Sequence, residues 1–336
     1  ANWQNMNVVD AAADVSDDGK VNTEDVIMIM KYLAGWSGSL GNIDMTYDSS
    51  RKTAQYEDSD LSLYFANSML KISKDNTSVA RDNSFLMKMA KNEIESCQAI
   101  IYSDKEYKDL SVSVTDFKNQ YGDVIPANIY WMHYYNLKLY DNVTAVIYPD
   151  ALVPVVDGTK VELKAGQNQG FMINADTSAE TPAGMYKATM SIYDSNKREI
   201  KTADIYVDVW DFALPEAPYS ASAFGLGKGG LVMNSSLSLT DSEGATELYI
   251  KYYEFLLDYR ITAYGLPYDI MSDKADKYMS DPRVTSFVIW GGEGYGGQYD
   301  LPNDDAVRER YEKVYSNPVW AEKSYFYLVD EPAGNA

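Results

Sequence analysis

The sequence contains one cysteine, Cys97, and one histidine, His133, among 336 residues. A lone cysteine excludes an internal disulfide. Set beside Ser96, Ala99, Ile100 and Ile101, it reads as a small core residue and not as a nucleophile. A lone histidine excludes a His-rich metal site, and within Tyr130-Trp131-Met132-His133-Tyr134-Tyr135 it reads as a strand residue. No apolar run reaches the ~18 residues of a membrane span, so none is expected. A signal peptide and an initiator Met are also lacking. Both ends are therefore expected to be cut, with Ala336 close behind the presumed site. Basic residues are few, 29 Lys+Arg against 50 Asp+Glu, for a net charge of −21. Such a balance repels nucleic acid and anionic lipid, and suits an extracellular protein acting on neutral polymers. What is abundant is hydrophobic residues, 46% of the chain, enough for real cores in two or three domains.

The first segment spaces oxygen side chains as a calcium loop does. Asp14, Ser16, Asp18 and Asp25 fall at loop positions 1, 3, 5 and 12, and Gly19 supplies the sharp turn at position 6. The carbonyl of Lys20 is the position-7 ligand, and a hard cation, Ca²⁺, would find a nearly complete oxygen cage. A helix follows through Val26 to Leu33. Residues 1–36 resemble the second calcium repeat of a dockerin, an EF-hand-like α module, because Asp closes the loop and the helix ends in Lys31-Tyr32-Leu33-Ala34-Gly35-Trp36. Ala1-Asn2-Trp3 echoes Ala34-Gly35-Trp36. Ser16 stands where the family usually has Asn. The resemblance implies that Thr23 and Glu24 recognise a cohesin domain of a scaffoldin or cell-surface protein, as in a cellulosome.

Residues 37–60 include a Gly-, Ser-, Asp- and Thr-rich stretch and read as a linker. From 61 to 215, seven short apolar runs recur between turn signals: 62–66, 96–102, 110–114, 129–134, 171–175, 186–193 and 203–209. That rhythm predicts an antiparallel β-sandwich. Residues 216–336 change to strand then helix, repeated. Strands are expected at 221–225, 261–265, 284–290 and 324–329, with helices over 246–258 and 304–314. The first helix is expected to face the core with Leu248, Tyr252, Phe255 and Leu256. Near-continuous apolar strands alternating with helices predict a parallel sheet buried on both faces. Four such units are the first half of a (β/α)8 TIM-type barrel, whose usual size is ~250 residues.

The last of these strands, Ser324-Tyr325-Phe326-Tyr327-Leu328-Val329, reads as buried and runs into Asp330-Glu331-Pro332. Pro332 stops the ladder, which leaves two carboxylates at a strand's carboxyl end, where barrel enzymes keep their chemistry. Trp290, Glu293 and Tyr295, with the glycines around them, form a loop after the third strand that offers an aromatic and an acid for sugar contact. Tyr264 and Asp269, after the second strand, are further candidate sugar contacts.

Several segments resemble glycoside hydrolase family 123 and its relatives: Lys91-Asn92-Glu93-Ile94, Thr181-Pro182-Ala183-Gly184-Met185-Tyr186, Val209-Trp210-Asp211-Phe212-Ala213-Leu214-Pro215, Leu256-Leu257-Asp258-Tyr259-Arg260-Ile261, Asp281-Pro282-Arg283-Val284 and Asp330-Glu331-Pro332. The resemblance runs from about Leu61 to the end, and implies a β-sandwich followed by a barrel that hydrolyses β-linked N-acetylgalactosamine by substrate-assisted catalysis. It further implies Glu331 as general acid/base and Asp330 as the residue that orients the 2-acetamido group. Two adjacent carboxylates cannot easily straddle a sugar at the ~5–9.5 Å of two-carboxylate glycosidases. When the substrate's own acetamido oxygen attacks, one acid and one acetamido partner suffice. Two alternatives stay open: a non-catalytic carbohydrate-binding or scaffold component, and a glycosidase whose second carboxylate lies downstream. If only half a barrel is present, residues 1–336 alone are expected to show little or no activity.

Overall fold

The computed structural model describes residues 15, 23–33, 47, 54–55, 60–76, 82–138, 145–238, 240–291 and 304–327. They fall into two compact units, Ala1–Leu214 and Pro215–Ala336.

The first unit contains helix α1 (Thr23–Leu33) and thirteen strands. These are β1 (Ala54–Gln55), β2 (Ser62–Asn67), β3 (Phe85–Lys91), β4 (Ile94–Ser103), β5 (Tyr107–Val114), β6 (Phe117–Lys118), β7 (Val124–Ile125), β8 (Ala127–Lys138), β9 (Ala145–Pro154), β10 (Val161–Leu163), β11 (Gln167–Asp176), β12 (Gly184–Tyr193) and β13 (Glu199–Ala213). One sheet runs β2-β4-β11-β8-β9, and the other β1-β13-β12-β5-β10, with β3 and the short β6 and β7 attached. Each of the seven predicted runs lies within a strand. Pairing is antiparallel except for β3, which lies parallel to β13.

Alternation along these strands sends one set of side chains between the sheets. Phe65, Cys97, Ile101, Phe171, Ile173, Tyr186, Met190, Ile205 and Val207 belong to that common core. Cys97 is a free, fully buried thiol, and burial raises its pKa, so it is a packing residue. β9 was not expected because Pro149 and Pro154 interrupt its pattern. It is an edge strand, where a missing N–H breaks no interior ladder bond.

The outer face of the β2 sheet carries a second, small cluster of Tyr64, Ala66, Ile72 and Ile100 under residues 67–76. Two buried amides fasten that cover. Gln98 donates to the carbonyls of Asn67 and Leu70, and Asn168 donates to those of Ser73 and Asn76 while accepting from the Tyr64 hydroxyl.

The second unit contains helices α2 (Lys228–Met233), α3 (Ser242–Asp258) and α4 (Asp273–Ser280), strand β14 (Phe287–Gly291), helices α5 (Asp304–Tyr315) and α6 (Pro318–Lys323), and strand β15 (Ser324–Tyr327). Four extended segments succeed one another in parallel. Phe224 bridges Ala263, the Val288 N–H reaches the Tyr264 carbonyl at 3.1 Å, and β14 pairs with β15.

The first two predicted strands are reduced to single bridges because hydroxyl groups intercept their ladder donors. Thr262 N–H donates to Ser222 Oγ at 2.8 Å, Ser222 N–H to Thr285 Oγ1 at 3.1 Å, and Thr285 N–H to Thr262 Oγ1 at 3.0 Å. This hydroxyl stitch satisfies buried amides at the amino ends of the strands, leaving the carboxyl ends to other residues.

α3 starts earlier than expected, capped by Asp241, whose carboxylate accepts the Gly244 N–H at 2.9 Å. It also presents a different face. Ala245, Tyr249, Tyr253 and Leu257 are buried, whereas Tyr252 and Phe255, expected inside, are 47% and 57% exposed. Both stripes have helical spacing and two aromatics each, and the one that packs with Tyr278, Val284 and Phe287 sets the rotation. β15 is not buried either; Phe326 is 38% exposed, and β14 is its one pairing neighbour among the described residues.

Candidate active site at the strand ends

The candidate residues of the second unit follow its parallel strands. α3 pins the end of the second one: the Tyr249 hydroxyl donates to the Gly265 carbonyl at 2.7 Å, and burial pushes that phenol up to about 12. A Cβ at Gly265 would lie 3.1 Å from the same hydroxyl, so any larger residue there obliges the Tyr249 ring to give by a few tenths of an ångström. Tyr264, just before it, meets Tyr327 of β15 with ring centroids 6.1 Å apart. The two come from the second and fourth parallel segments and touch across the third. Side chains of alternate strands share a layer in this way inside a (β/α)8 barrel.

Trp290 and Asp269 are brought together by a residue that the sequence did not single out. Arg310, in the second turn of α5, donates from Nη2 to Asp269 Oδ2 at 2.6 Å. Its guanidinium carbon also lies 5.3 Å from the centroid of the Trp290 ring, a cation–π arrangement. Asp269 accepts the Met271 N–H at 2.9 Å as well. Partial burial disfavours the Asp269 carboxylate, but the Arg310 hydrogen bond, the Met271 amide and the Arg310 charge outweigh that. Its pKa is held below the usual Asp value. One turn on, Lys313 contacts Asp276 at 2.8 Å and the Ser272 carbonyl at 3.2 Å, so α5 is tied along the loop after the second segment. In the sequence Arg308-Glu309-Arg310 looks like one more solvated charged turn. Only the tertiary fold selects Arg310.

Asp330 and Glu331 lie outside the described residues, as do Glu293 and Tyr295; β15 ends at Tyr327, three positions before Asp330. Asp14, Ser16, Asp18 and Lys20 of the predicted calcium loop are likewise outside. Thr23 is exposed at the start of α1, Glu24 lies in that helix, and Asp25, the predicted position-12 ligand, is 1% exposed.

Several recognised segments have structural roles. Asn92 adopts a left-handed φ of 58° at the β3–β4 turn and donates Nδ2 to the Leu214 carbonyl at 2.9 Å, while the Leu214 N–H returns to the Lys91 carbonyl at 2.9 Å. Tyr186 sends its hydroxyl back to the Pro182 carbonyl at 2.8 Å. Arg283 meets Asp281 at 2.8 Å, Glu254 at 2.9 Å and Asp258 at 3.3 Å, joining α3 to the turn before β14.

Residues 70–194 match the family model described as glycoside hydrolase 123 N-terminal domain. The fold is similar to that of a family 123 glycoside hydrolase from Clostridium perfringens, studied for glycolipid glycan hydrolysis. The TM-score is 0.54 at 12% identity, over 77% of this chain and 45% of that one. The chain thus spans less than half the length of that structure. Fainter likenesses include the N-terminal domain of PorA (TM-score 0.21, 10% identity, 44% of this chain and 97% of that one). Another is the Myf fimbrial subunit MyfA of Yersinia enterocolitica in complex with galactose (TM-score 0.21, 15% identity, 44% and 96%). No curated protein matches. Residues 70–194 thus resemble a glycoside hydrolase 123 N-terminal domain, in a chain whose fold is similar to that of a family 123 glycoside hydrolase.

Proposed function

We propose that this chain is the dockerin-bearing, β-sandwich and first half-barrel portion of an extracellular glycoside hydrolase that removes β-linked N-acetylhexosamine of the N-acetylgalactosamine type. The observation that carries the reading is the Tyr264–Tyr327 contact across the third of four parallel segments, in a chain whose sandwich matches the family 123 N-terminal domain. This contact between alternate segments supports a half-barrel whose strand ends carry the site, and Asp330-Glu331 come three and four positions after Tyr327, the last residue of the fourth strand.

In this reading the bond to the leaving group breaks as Glu331 donates a proton to the glycosidic oxygen. The substrate's acetamido oxygen attacks the anomeric carbon, and Asp330 orients and stabilises the acetamido group. Glu331, then anionic, takes a proton from the water that opens the cyclic intermediate, so configuration is retained. An acid working near neutrality needs a raised pKa, and a like charge held close to it is one general way to supply it.

Ca²⁺ plays no part in this chemistry. Asp14, Ser16, Asp18, the Lys20 carbonyl and Asp25 would hold it in the dockerin loop. There it would order the helix that carries Thr23 and Glu24 toward a cohesin. Glu331→Gln in the full-length protein tests the catalytic reading: turnover falls by about 10²–10⁴-fold while substrate binding persists. Unchanged turnover would contradict it.

A further inference from the structure

Trp290 is the one tryptophan on the parallel strands of the second unit among the described residues, and its surroundings differ from those of a packing residue. Phe287 and Ile289 of the same strand are fully buried in the second unit's apolar core. Trp290 is half-buried and, among the described residues, is not counted in that core or packed against it, whereas Trp320 is packed against it. Among the described residues, a polar chain reaches the indole. The Met271 N–H fixes Asp269, Asp269 fixes Arg310, and Arg310 covers one face of the ring. The Arg310 side chain is 22% exposed and that of Asp269 57%, so the arrangement sits at the edge of the fold and not within its core.

We propose that Arg310, anchored by Asp269, is a positioning residue for the sugar site: it holds the Trp290 indole so that the face opposite the guanidinium serves as the stacking platform for a pyranose ring. The proposal rests on the glycosidase reading above. It gives Asp269 a task one step removed from the substrate, and adds a residue from a helix to a site otherwise assembled from strand ends. An indole left without its cation and without core packing is free to take other rotamers, each costing sugar affinity but leaving the Glu331 chemistry untouched. The expected signature is therefore in KM and not in kcat.

The experiment uses the full-length protein with Arg310→Ala, Arg310→Lys, Trp290→Phe and the Arg310→Ala/Trp290→Phe double variant. On a 4-nitrophenyl N-acetyl-β-D-galactosaminide, Arg310→Ala raises KM about tenfold with kcat within about twofold, and Arg310→Lys recovers part of the loss. The double variant is no worse than Trp290→Phe alone, because Arg310 acts through that ring. Unchanged KM in Arg310→Ala, or multiplied effects in the double variant, would overturn the proposal.

A second readout needs no turnover. The difference in emission between wild type and Trp290→Phe isolates one of six tryptophans. Free N-acetylgalactosamine shields that signal from acrylamide in wild type and fails to do so in Arg310→Ala. Shielding without any turnover would sink the glycosidase reading and keep the platform. Absence of shielding in wild type, or equal shielding in Arg310→Ala, would overturn the platform even in an active enzyme.

Discussion

Asn92 and Leu214, 122 positions apart, are clasped where the β3–β4 turn meets the end of β13, the Asn92 amide donating to the Leu214 carbonyl at 2.9 Å. The same two segments are tied again by the Leu214 N–H on Lys91 and by Lys91 Nζ on Asp211 at 2.6 Å. Asparagine suits the spot because it tolerates φ near 58° and its short side chain can reach out of the turn. Asn92→Ala loses both advantages and should destabilise the sandwich by about 1–3 kcal/mol, read from urea unfolding. Asn92→Gly relieves the backbone but not the lost bond, and should fall between the two. Equal stability of all three proteins would contradict the clasp.

Gly170 lies in the middle of β11 beneath Met132 and Tyr134. A Cβ there would stand 2.7 Å from Met132 Sδ and 3.0 Å from the Tyr134 hydroxyl. Gly170→Ala should therefore cost about 1–3 kcal/mol by overpacking, although alanine is normally the better strand residue. Met132→Ala in the same chain should recover part of that loss, which differential scanning calorimetry on the two variants would reveal.

The ion cluster on Arg283 sets an acid limit for the second unit. Burial opposes the Asp281 carboxylate, but the Arg283 hydrogen bonds and charges outweigh it, so the Asp281 pKa lies below its ordinary value, as does that of Asp269. A depressed folded pKa contributes stability that is fully present above the unfolded value, about 3.9. It is lost as pH falls through the folded value. Unfolding of the second unit should thus ease as pH drops below about 4, and a Arg283→Met variant, weaker at neutral pH, should lose less over that same interval. Parallel stability–pH curves for the two proteins would contradict the pairing.

Calcium is expected to act on the N-terminal segment alone. Asp14→Ala should abolish calcium-dependent ordering of that segment in a circular dichroism titration, with the unfolding of the sandwich unchanged. A calcium response identical to wild type would refute the loop assignment.

The periodic parts of the fold were legible in the sequence, and the tertiary choices were not. Runs such as Phe171–Ala175 and Tyr186–Tyr193 are apolar-rich and bounded by turn signals, so the strands could be placed before their partners were known. β9 was hidden by prolines that only an edge position tolerates, and α4 by a polar surface over Ala275, Tyr278 and Met279. The rotation of α3 was misjudged because two aromatic stripes compete on one helix, and packing partners far along the chain choose between them. At the candidate site, strand-end residues such as Tyr264 and Trp290 announced themselves by type and place. Arg310 did not, because a helical arginine acquires meaning only when Asp269 and Trp290 are folded against it.

The most direct test of the central claim is the release of 4-nitrophenol by the full-length protein from three substrates in parallel: the N-acetyl-β-galactosaminide, the N-acetyl-β-glucosaminide and the plain β-galactoside. Substrate-assisted hydrolysis predicts turnover confined to the two acetamido sugars, since only they carry the attacking oxygen. Equal turnover on the plain galactoside, or turnover on none of the three, would contradict it.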